Sequence, residues 1–380
     1  MSEQVGIENI GFYTPNATID LVELAKHTKQ NPDKFTRGLG QLKMSVATPN
    51  QDVISMAANA AKQILTEDII DKIDLVLFAT ESAIDASKSA AVEVHNLLNL
   101  RKNCRCLEVK HACYGGTGAV YLARQHVCQN PQSKVLILMS DTAFYGFKTS
   151  GEPTQGCGAI ALIVSAEPKI CTFGTENVCL TKKCNDFFRP SFKQTPIWDG
   201  HMSIRAYLSM YSQAASEWRK KYGAIPEVMC CHMPFARMLD KCVGEQKYSN
   251  EIKSYASTIG NLYTASLYLG LLSLLNNCKD DLSGHTIGMF SYGSGSECEL
   301  FSVKISSGYK DILCKSKNNI EAMIADRITV DYRIYKMLWK SWLRREKKTN
   351  WHPGRHKTSI FKVDGDIKLI SIKNGARYYE

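Results

Sequence analysis

Short apolar runs rich in β-branched residues recur along the chain, separated by stretches in which apolar positions return every three or four residues. The runs IDLVLFATES (73–82), SKVLILMSD (133–141), GAIALIVS (158–165), EVMCCHMP (227–234), HTIGMFSYG (285–293) and ECELFSVKI (297–305) read as buried strands. Helical patterns fall between them. DVISMAANAAKQIL (52–65), SAAVEVHNLLNL (89–100) and GGTGAVYLARQHV (115–127) belong to the first half. HMSIRAYLSMYSQAASEWRKKYG (201–223) and NLYTASLYLGLLSLL (261–275) belong to the second. Strands that alternate with helices in this way predict an α/β fold, with helical layers around a mixed sheet.

The two halves share a plan. Each has a buried strand that ends in a polar residue, Glu81 in one and His232 in the other. Each then sets a reactive or hydrogen-bonding residue at the head of an apolar helix, Cys113 in the first half and Asn261 in the second. Each closes on two strands joined by a turn with Gly-x-Gly, TQGCGAIALIV (154–164) and SYGSGSECELF (291–301). Residue identity between them is slight, so the repeat is one of plan. It predicts two similar domains, 1–166 and 167–380, related by a pseudo-twofold, with Glu81, Cys113, His232 and Asn261 meeting at the seam.

Composition narrows the class. The 380 residues are 44% hydrophobic and 22% charged, the balance of a globular protein with a substantial core. No apolar run reaches ~18 residues and the first residues lack a signal-like segment, which predicts a cytoplasmic protein without membrane contact. The 14 cysteines are scattered without a CxxC pair, so free thiols and no metal site are expected. The net charge of +10 raises nucleic acid as a partner, but residues 333–357 hold nine Lys/Arg and one acid, Glu346. That single segment carries most of the excess. It reads as the solvated face of an amphipathic helix, with an anionic partner as the alternative.

The four seam residues suggest chemistry. A helix start carries unpaired N–H groups and a positive dipole end, which favours thiolate at Cys113. Gly115 and Gly116 allow close approach of backbone or substrate. The plainer reading is a buried cysteine without a task. Glu81 ends a fully apolar strand, where burial raises a carboxyl pKa toward the range useful for proton transfer. His232 stands on a rigid edge before Pro234, where an ordinary core histidine is the alternative. Thiol, carboxylate, imidazole and amide together suit acyl transfer through a thioester followed by carbon–carbon bond formation.

The sequence resembles hydroxymethylglutaryl-CoA synthase, of the thiolase superfamily, over nearly its whole length. The likeness is carried by GLGQLKMSVATPNQDVISMAANAA (38–61), ATESAIDASKSA (79–90), ACYGGTGA (112–119), SDTAFYG (140–146) and GEPTQGCGAIAL (151–162). Further on it is carried by DFFRP with WDGHMS (186–203), CHMPFARMLDK (231–241), GNLYTASLYL (260–269) and SYGSGSE (291–297). The resemblance implies a thiolase-like fold of two pseudo-twofold-related βαβαβ-type halves, layered α/β/α/β/α, and a homodimer. It implies catalytic roles for Glu81, Cys113 and His232, and thioester binding by Asn261, Gly293 and Ser294. Thr154, Tyr145, Asp186, Arg237 and Lys241 complete the implied substrate-binding set, the last two gripping the CoA phosphates from a helix over 234–243.

The implied reaction joins acetyl-CoA to acetoacetyl-CoA through acetyl-Cys113, with Glu81 moving the protons and no cofactor or metal, in the mevalonate pathway. The β-branching synthases of polyketide synthesis, which act on acyl carrier proteins, are the near alternative. A non-catalytic nucleic-acid-binding protein is the remote one. Three positions depart from the family pattern: His111 where an acid is usual, Arg237 where Lys is usual, and Cys157 where a small alanine is usual.

Overall fold

The computed structural model describes residues 4–353, 361 and 366–380, so the basic run 333–357 passes outside the described residues at 354. The chain opens with β1 (Gly6–Tyr13), β2 (Ala17–Asp20), α1 (Leu21–Thr28) and β3 (Lys43–Val46). Then come α2 (Val53–Lys62), α3 (Glu67–Ile70), β4 (Ile73–Ala79), α4 (Ala90–Leu97) and β5 (Arg105–Val109). The first half ends with α5 (Gly115–Gln129), β6 (Lys134–Thr142) and β7 (Cys157–Ser165). β8 (Cys171–Thr181) and a ribbon of β9 (Phe187–Phe188) and β10 (Ile197–Trp198) lead into α6 (Gly200–Tyr222). After it come β11 (Val228–Cys231), α7 (Met238–Val243), α8 (Ser249–Ile259) and α9 (Ser266–Asn277). The rest is β12 (Thr286–Gly293), β13 (Glu297–Ile305), α10 (Tyr309–Ala325), β14 (Ile328–Val330), α11 (Tyr332–Arg345), β15 (Leu369–Lys373) and β16 (Ala376–Tyr379).

All six strands expected from the apolar runs form. β1 and β8 went unpredicted for a physical reason. GIENIGFY carries Glu8 at its middle, which breaks the apolar run, yet the carboxylate is buried against Lys134 and accepts from Lys169 Nζ at 2.9 Å. β8 has exposed and half-buried positions along most of its length.

Nine strands hydrogen-bond in the order β11-β12-β13-β8-β1-β7-β6-β4-β5. β4 runs parallel to β5 and β6, and β6-β7-β1 are successively antiparallel. β11 runs parallel to β12, and β12-β13-β8 are antiparallel. The strand senses of β4-β6-β7-β1 thus recur in β11-β12-β13-β8. The two sets meet where β1 and β8 pair antiparallel over only two residues on each strand, Gly6–Thr172 and Ile7–Cys171. The two sheets of the expected layering are therefore continuous through this short contact.

Alternation along β4 separates the layers. Leu75, Leu77 and Ala79 face the core that contains α5 and α9, whereas Val76 and Phe78 face α2 and α4. α9 is buried over almost its whole length, as the inner layer of a five-layer arrangement requires. β2, β3 and β14 form a separate small sheet covered by α1 and α11.

The helix expected over 261–275 starts later, at Ser266, after a 3₁₀ turn at Tyr263–Ala265. The helix expected over 234–243 is confined to Met238–Val243. The basic run also needs correction. α11 exposes Arg333, Lys340 and Arg344, but Arg345 is fully buried. Its guanidinium donates to the carbonyls of Pro49 and Gln51 at 2.6 and 2.8 Å and pairs with Glu346. Arg377, near the end of the chain, bridges Glu346 to Asp52, the residue that caps α2. That network fastens the C-terminal hairpin to the first half. No helix among the described residues is long and apolar enough to cross a membrane.

The inner helices leave no room between them and the turn beside them. A Cβ on Gly116 would lie 2.2 Å from the Thr264 carbonyl oxygen, whereas one on Gly118 meets its nearest neighbour at 3.5 Å. Gly116→Ala should therefore destabilise the fold by about 1–3 kcal/mol. Gly118→Ala should stabilise or leave it within about 1 kcal/mol. Urea unfolding of the two variants separates these outcomes.

Candidate active site

Sequence-derived residues come together at the carboxyl ends of the parallel strands, where open α/β sheets place their ligand sites. Glu81 follows β4, Cys113 follows β5, His232 follows β11 and Ser294 follows β12. With Asn261, Tyr145 and Thr154 they line a cavity of about 300 Å³. Its remaining wall is largely apolar, with Leu39, Trp198, Ile204, Tyr207, Phe235 and Met238. A wider groove of about 1250 Å³, edged by Arg124, Lys169 and Lys304, contains none of these groups. Converging titratable side chains in an apolar cavity mark the smaller one as the site.

The loop that holds Cys113 is tightly fixed. Ala112 adopts a φ of 40°, and the Gly115 N–H donates to the carbonyls of His111 and Ala112 at 3.2 Å. Gly293 packs against the same loop: a Cβ there would fall 2.7 Å from Tyr114 N and 2.8 Å from the His111 carbonyl. Gly293 therefore supports the cysteine loop from behind. His111 lies 3.7 Å from Glu297 Oε2, so an acid already faces any charge it carries.

The Cys113 thiol donates to Glu81 Oε2 at 3.3 Å. Burial raises its pKa well above the usual thiol range, and the carboxylates of Glu81 and Asp141 add to the effect. The thiolate expected from the helix dipole is overturned: burial and two acids outweigh a dipole whose effect fades within a turn. Burial pushes Glu81 up to about 8, Asp141 reinforces this, and the Cys113 hydrogen bond and Arg189 oppose it. Arg189 also donates to the Glu81 carbonyl at 2.5 Å.

Asp141 went unassigned in the sequence, although it ends an apolar strand just as Glu81 does. It is fully buried and accepts five hydrogen bonds. Oδ1 takes Thr80 Oγ1, Glu81 N and Ser82 Oγ at 2.8–2.9 Å, while Oδ2 takes Thr264 N at 3.1 Å and Thr264 Oγ1 at 2.6 Å. Burial pushes its carboxyl up as well, but these donors pull against that. Glu81 has a single thiol donor, so a proton shared by the pair rests on Glu81.

His232 is buried, and burial lowers its pKa to about 3, so the imidazole is neutral at physiological pH. Its backbone is held at both ends, the N–H donating to the Phe290 carbonyl and the carbonyl accepting from Tyr207 Oη, each at 2.8 Å. Asn261 Oδ1 accepts from Tyr263 N and Ser266 Oγ at 2.8 and 2.7 Å. That orientation leaves the amide nitrogen as the group able to donate to a ligand. Tyr145 packs between Phe187, Trp198 and Tyr263, with its N–H held by Gln155 at 2.6 Å.

Other members of the set stand apart from the cavity. Asp186 is buried and accepts from Tyr292 Oη at 3.3 Å and Gly295 N at 3.1 Å, holding the turn that carries Ser294. Arg237, which caps α7, and Lys241 within it are exposed one turn apart, while Met238 at the head of the helix reaches the cavity. Arg237 lies 3.4 Å from Asp240. Cys157 is buried at the start of β7.

The family models described as hydroxymethylglutaryl-coenzyme A synthase N terminal and C terminal match residues 1–169 and 237–364. Among curated proteins the chain is 38% identical to a hydroxymethylglutaryl-CoA synthase of Enterococcus faecalis, over 86% of this chain and 93% of the other. It is 30% identical to the polyketide-biosynthesis 3-hydroxy-3-methylglutaryl-ACP synthase PksG of Bacillus subtilis, over 78% and 79%. Among solved structures it matches an HMG-CoA synthase complexed with CoA, with a TM-score of 0.92 and 33% identity over 99% of both chains.

Removing the charge of Asp141 should lower the pKa of the Cys113 thiol, because that charge opposes thiolate formation. Asp141→Asn is expected to move the pH dependence of Cys113 alkylation downward by about 1 pH unit. Mass spectrometry of iodoacetamide-treated protein across a pH series follows that shift, and in the native protein Cys113 should react slowly at neutral pH.

Proposed function

The chain belongs to the hydroxymethylglutaryl-CoA synthase family, a family of transferases, and from that premise we propose that it joins acetyl-CoA to acetoacetyl-CoA through acetyl-Cys113. The observation that carries the mechanism is the 3.3 Å contact between the Cys113 thiol and a Glu81 held near neutrality. In the ionised form of Glu81, attack of Sγ on the acetyl-CoA carbonyl passes the thiol proton to Glu81 and on to the departing CoA thiolate. Glu81, again a carboxylate, then takes a proton from the acetyl methyl. The carbanion equivalent adds to the ketone of acetoacetyl-CoA, and Glu81 returns the proton to the alkoxide. Water finally releases 3-hydroxy-3-methylglutaryl-CoA from Cys113.

His232 acts here as a neutral hydrogen-bond donor that orients acetoacetyl-CoA, and the Asn261 amide holds its carbonyl. The apolar wall excludes water from the acetyl-enzyme until the condensation is complete. Product, pathway and setting follow the same reading: the mevalonate route to isoprenoids, in the cytoplasm, without a cofactor. A homodimer would form along β5, the sheet edge, where Leu107 is exposed and Tyr121 and Leu122 of the adjacent α5 are exposed too. CoA is favoured over a carrier protein as donor because identity to the CoA enzyme exceeds that to PksG.

Cys113→Ser should abolish the acetyl-enzyme in a folded protein, as read by intact mass after incubation with acetyl-CoA. Glu81→Ala should acetylate Cys113 more slowly but still accumulate acetyl-Cys113, because its condensation step should fall further, by about 10²–10⁴-fold; a folded variant whose acetyl-Cys113 condenses at the native rate would remove Glu81 from the carbon–carbon step. The condensation rate should rise with pH through about 8, where Glu81 loses its proton. With a pKa of about 3, His232 should add no limb near neutrality.

Charge separates the two donors. Arg237→Ala with Lys241→Ala should raise the KM for CoA substrates about tenfold, or about 1.4 kcal/mol, with kcat nearly unchanged. A carrier-protein enzyme would instead lose activity when Arg344, Lys347 and Lys348 are neutralised.

A further inference from the structure

His95, Cys104 and Cys106 form a cluster that the absence of any metal-ligand spacing in the sequence gave no reason to expect. Their ligating atoms all lie within 4.8 Å of one another. Cys104 and Cys106 are two residues apart where the chain enters β5, so both side chains point to one face. That face is the one toward α4, since Glu108, next in the same alternation, accepts from the Ala90 N–H at 2.8 Å. His95 comes down from α4. Its Nε2 lies 2.9 Å from the Arg101 carbonyl oxygen. A carbonyl only accepts, so Nε2 carries the hydrogen and Nδ1 keeps its lone pair. An imidazole held in one tautomer by a backbone carbonyl is the support that metal-ligating histidines commonly have.

We propose that His95, Cys104 and Cys106 bind a thiophilic d¹⁰ cation, Zn²⁺, with water as the fourth ligand. Two thiolates and one imidazole suit tetrahedral zinc, and in the single chain the half-buried position of all three residues, on the face toward α4, leaves room for a water ligand. Binding converts two thiols to thiolates and releases both protons to the medium, without any change of oxidation state. The ion ties α4 to the strand that runs directly into the Cys113 loop, so its role is to stiffen that strand.

Zn²⁺ and Co²⁺ titrations of the full, reduced chain, freed of metal by a chelator, test this. The Cys113→Ser background removes the cavity thiol as a competing ligand. One Co²⁺ per chain should bind with the thiolate charge-transfer and strong visible bands of tetrahedral sulfur coordination. Those bands should vanish in Cys104→Ser/Cys106→Ser, and His95→Gln should weaken Zn²⁺ at least about tenfold. Zn²⁺ should raise the Tm of the parent and leave that of the double variant unmoved. Unaltered Zn²⁺ affinity in the double variant, or cobalt spectra without sulfur coordination in the parent, would overturn the proposal. So would a Cys104–Cys106 disulfide that forms in air and leaves the reduced pair unable to bind zinc.

Discussion

A single buried carboxylate sets the geometry of the reaction centre. Asp141 collects Thr80, Glu81 and Ser82 from the end of β4 on one oxygen and Thr264, beside Asn261, on the other. The loop that bears the acid and the turn that bears the amide are thus tied to one anchor. Gly116, pressed against the Thr264 carbonyl, brings the head of α5 to the same point. Besides that anchor, Thr264 Oγ1 donates to the Ala79 carbonyl at 3.3 Å and the Thr117 and Tyr268 hydroxyls meet at 3.1 Å, so the ends of β4, α5 and α9 are fixed by directed hydrogen bonds as well as by apolar packing.

The same anchor divides labour between two acids. Five donors oppose the upward push of burial on Asp141, and charge on Asp141 makes ionisation of its neighbour costly. Glu81 is left with a proton affinity near physiological pH. The thiol pays for this arrangement, since both acids oppose its ionisation. In the proposed reaction a thiol that loses its proton only as it attacks would react poorly with electrophiles that bring no aligned carbonyl.

The sequence carried the fold wherever burial followed residue type. The six apolar runs and the central helices announced themselves because they are buried on both sides, as in β6 and α9. β1 escaped because burial there depends on Glu8 meeting Lys134 and Lys169, residues more than 120 positions away. Glu81, Cys113, His232 and Asn261 were legible from their places at element ends. Asp141 carries the same sign in the sequence, a charge that closes an apolar strand. The state of Cys113 carries no such sign, because it depends on acids that only the tertiary structure brings near. Arg345 shows the converse, a cation in a basic run that is held by carbonyls from another part of the chain.

The cavity holds no more than the reacting end of a thioester. At about 300 Å³, with tyrosine and tryptophan for walls, it has room for acyl groups and the start of a pantetheine arm. Whatever the arm hangs from stays outside. On the proposed reading the chemistry would be blind to its donor, and the choice between a nucleotide and a protein handle would rest with side chains at the rim. A change of handle then asks for new surface charges and leaves the interior as it is. One interior can in this way serve two metabolic economies, a short step apart in sequence.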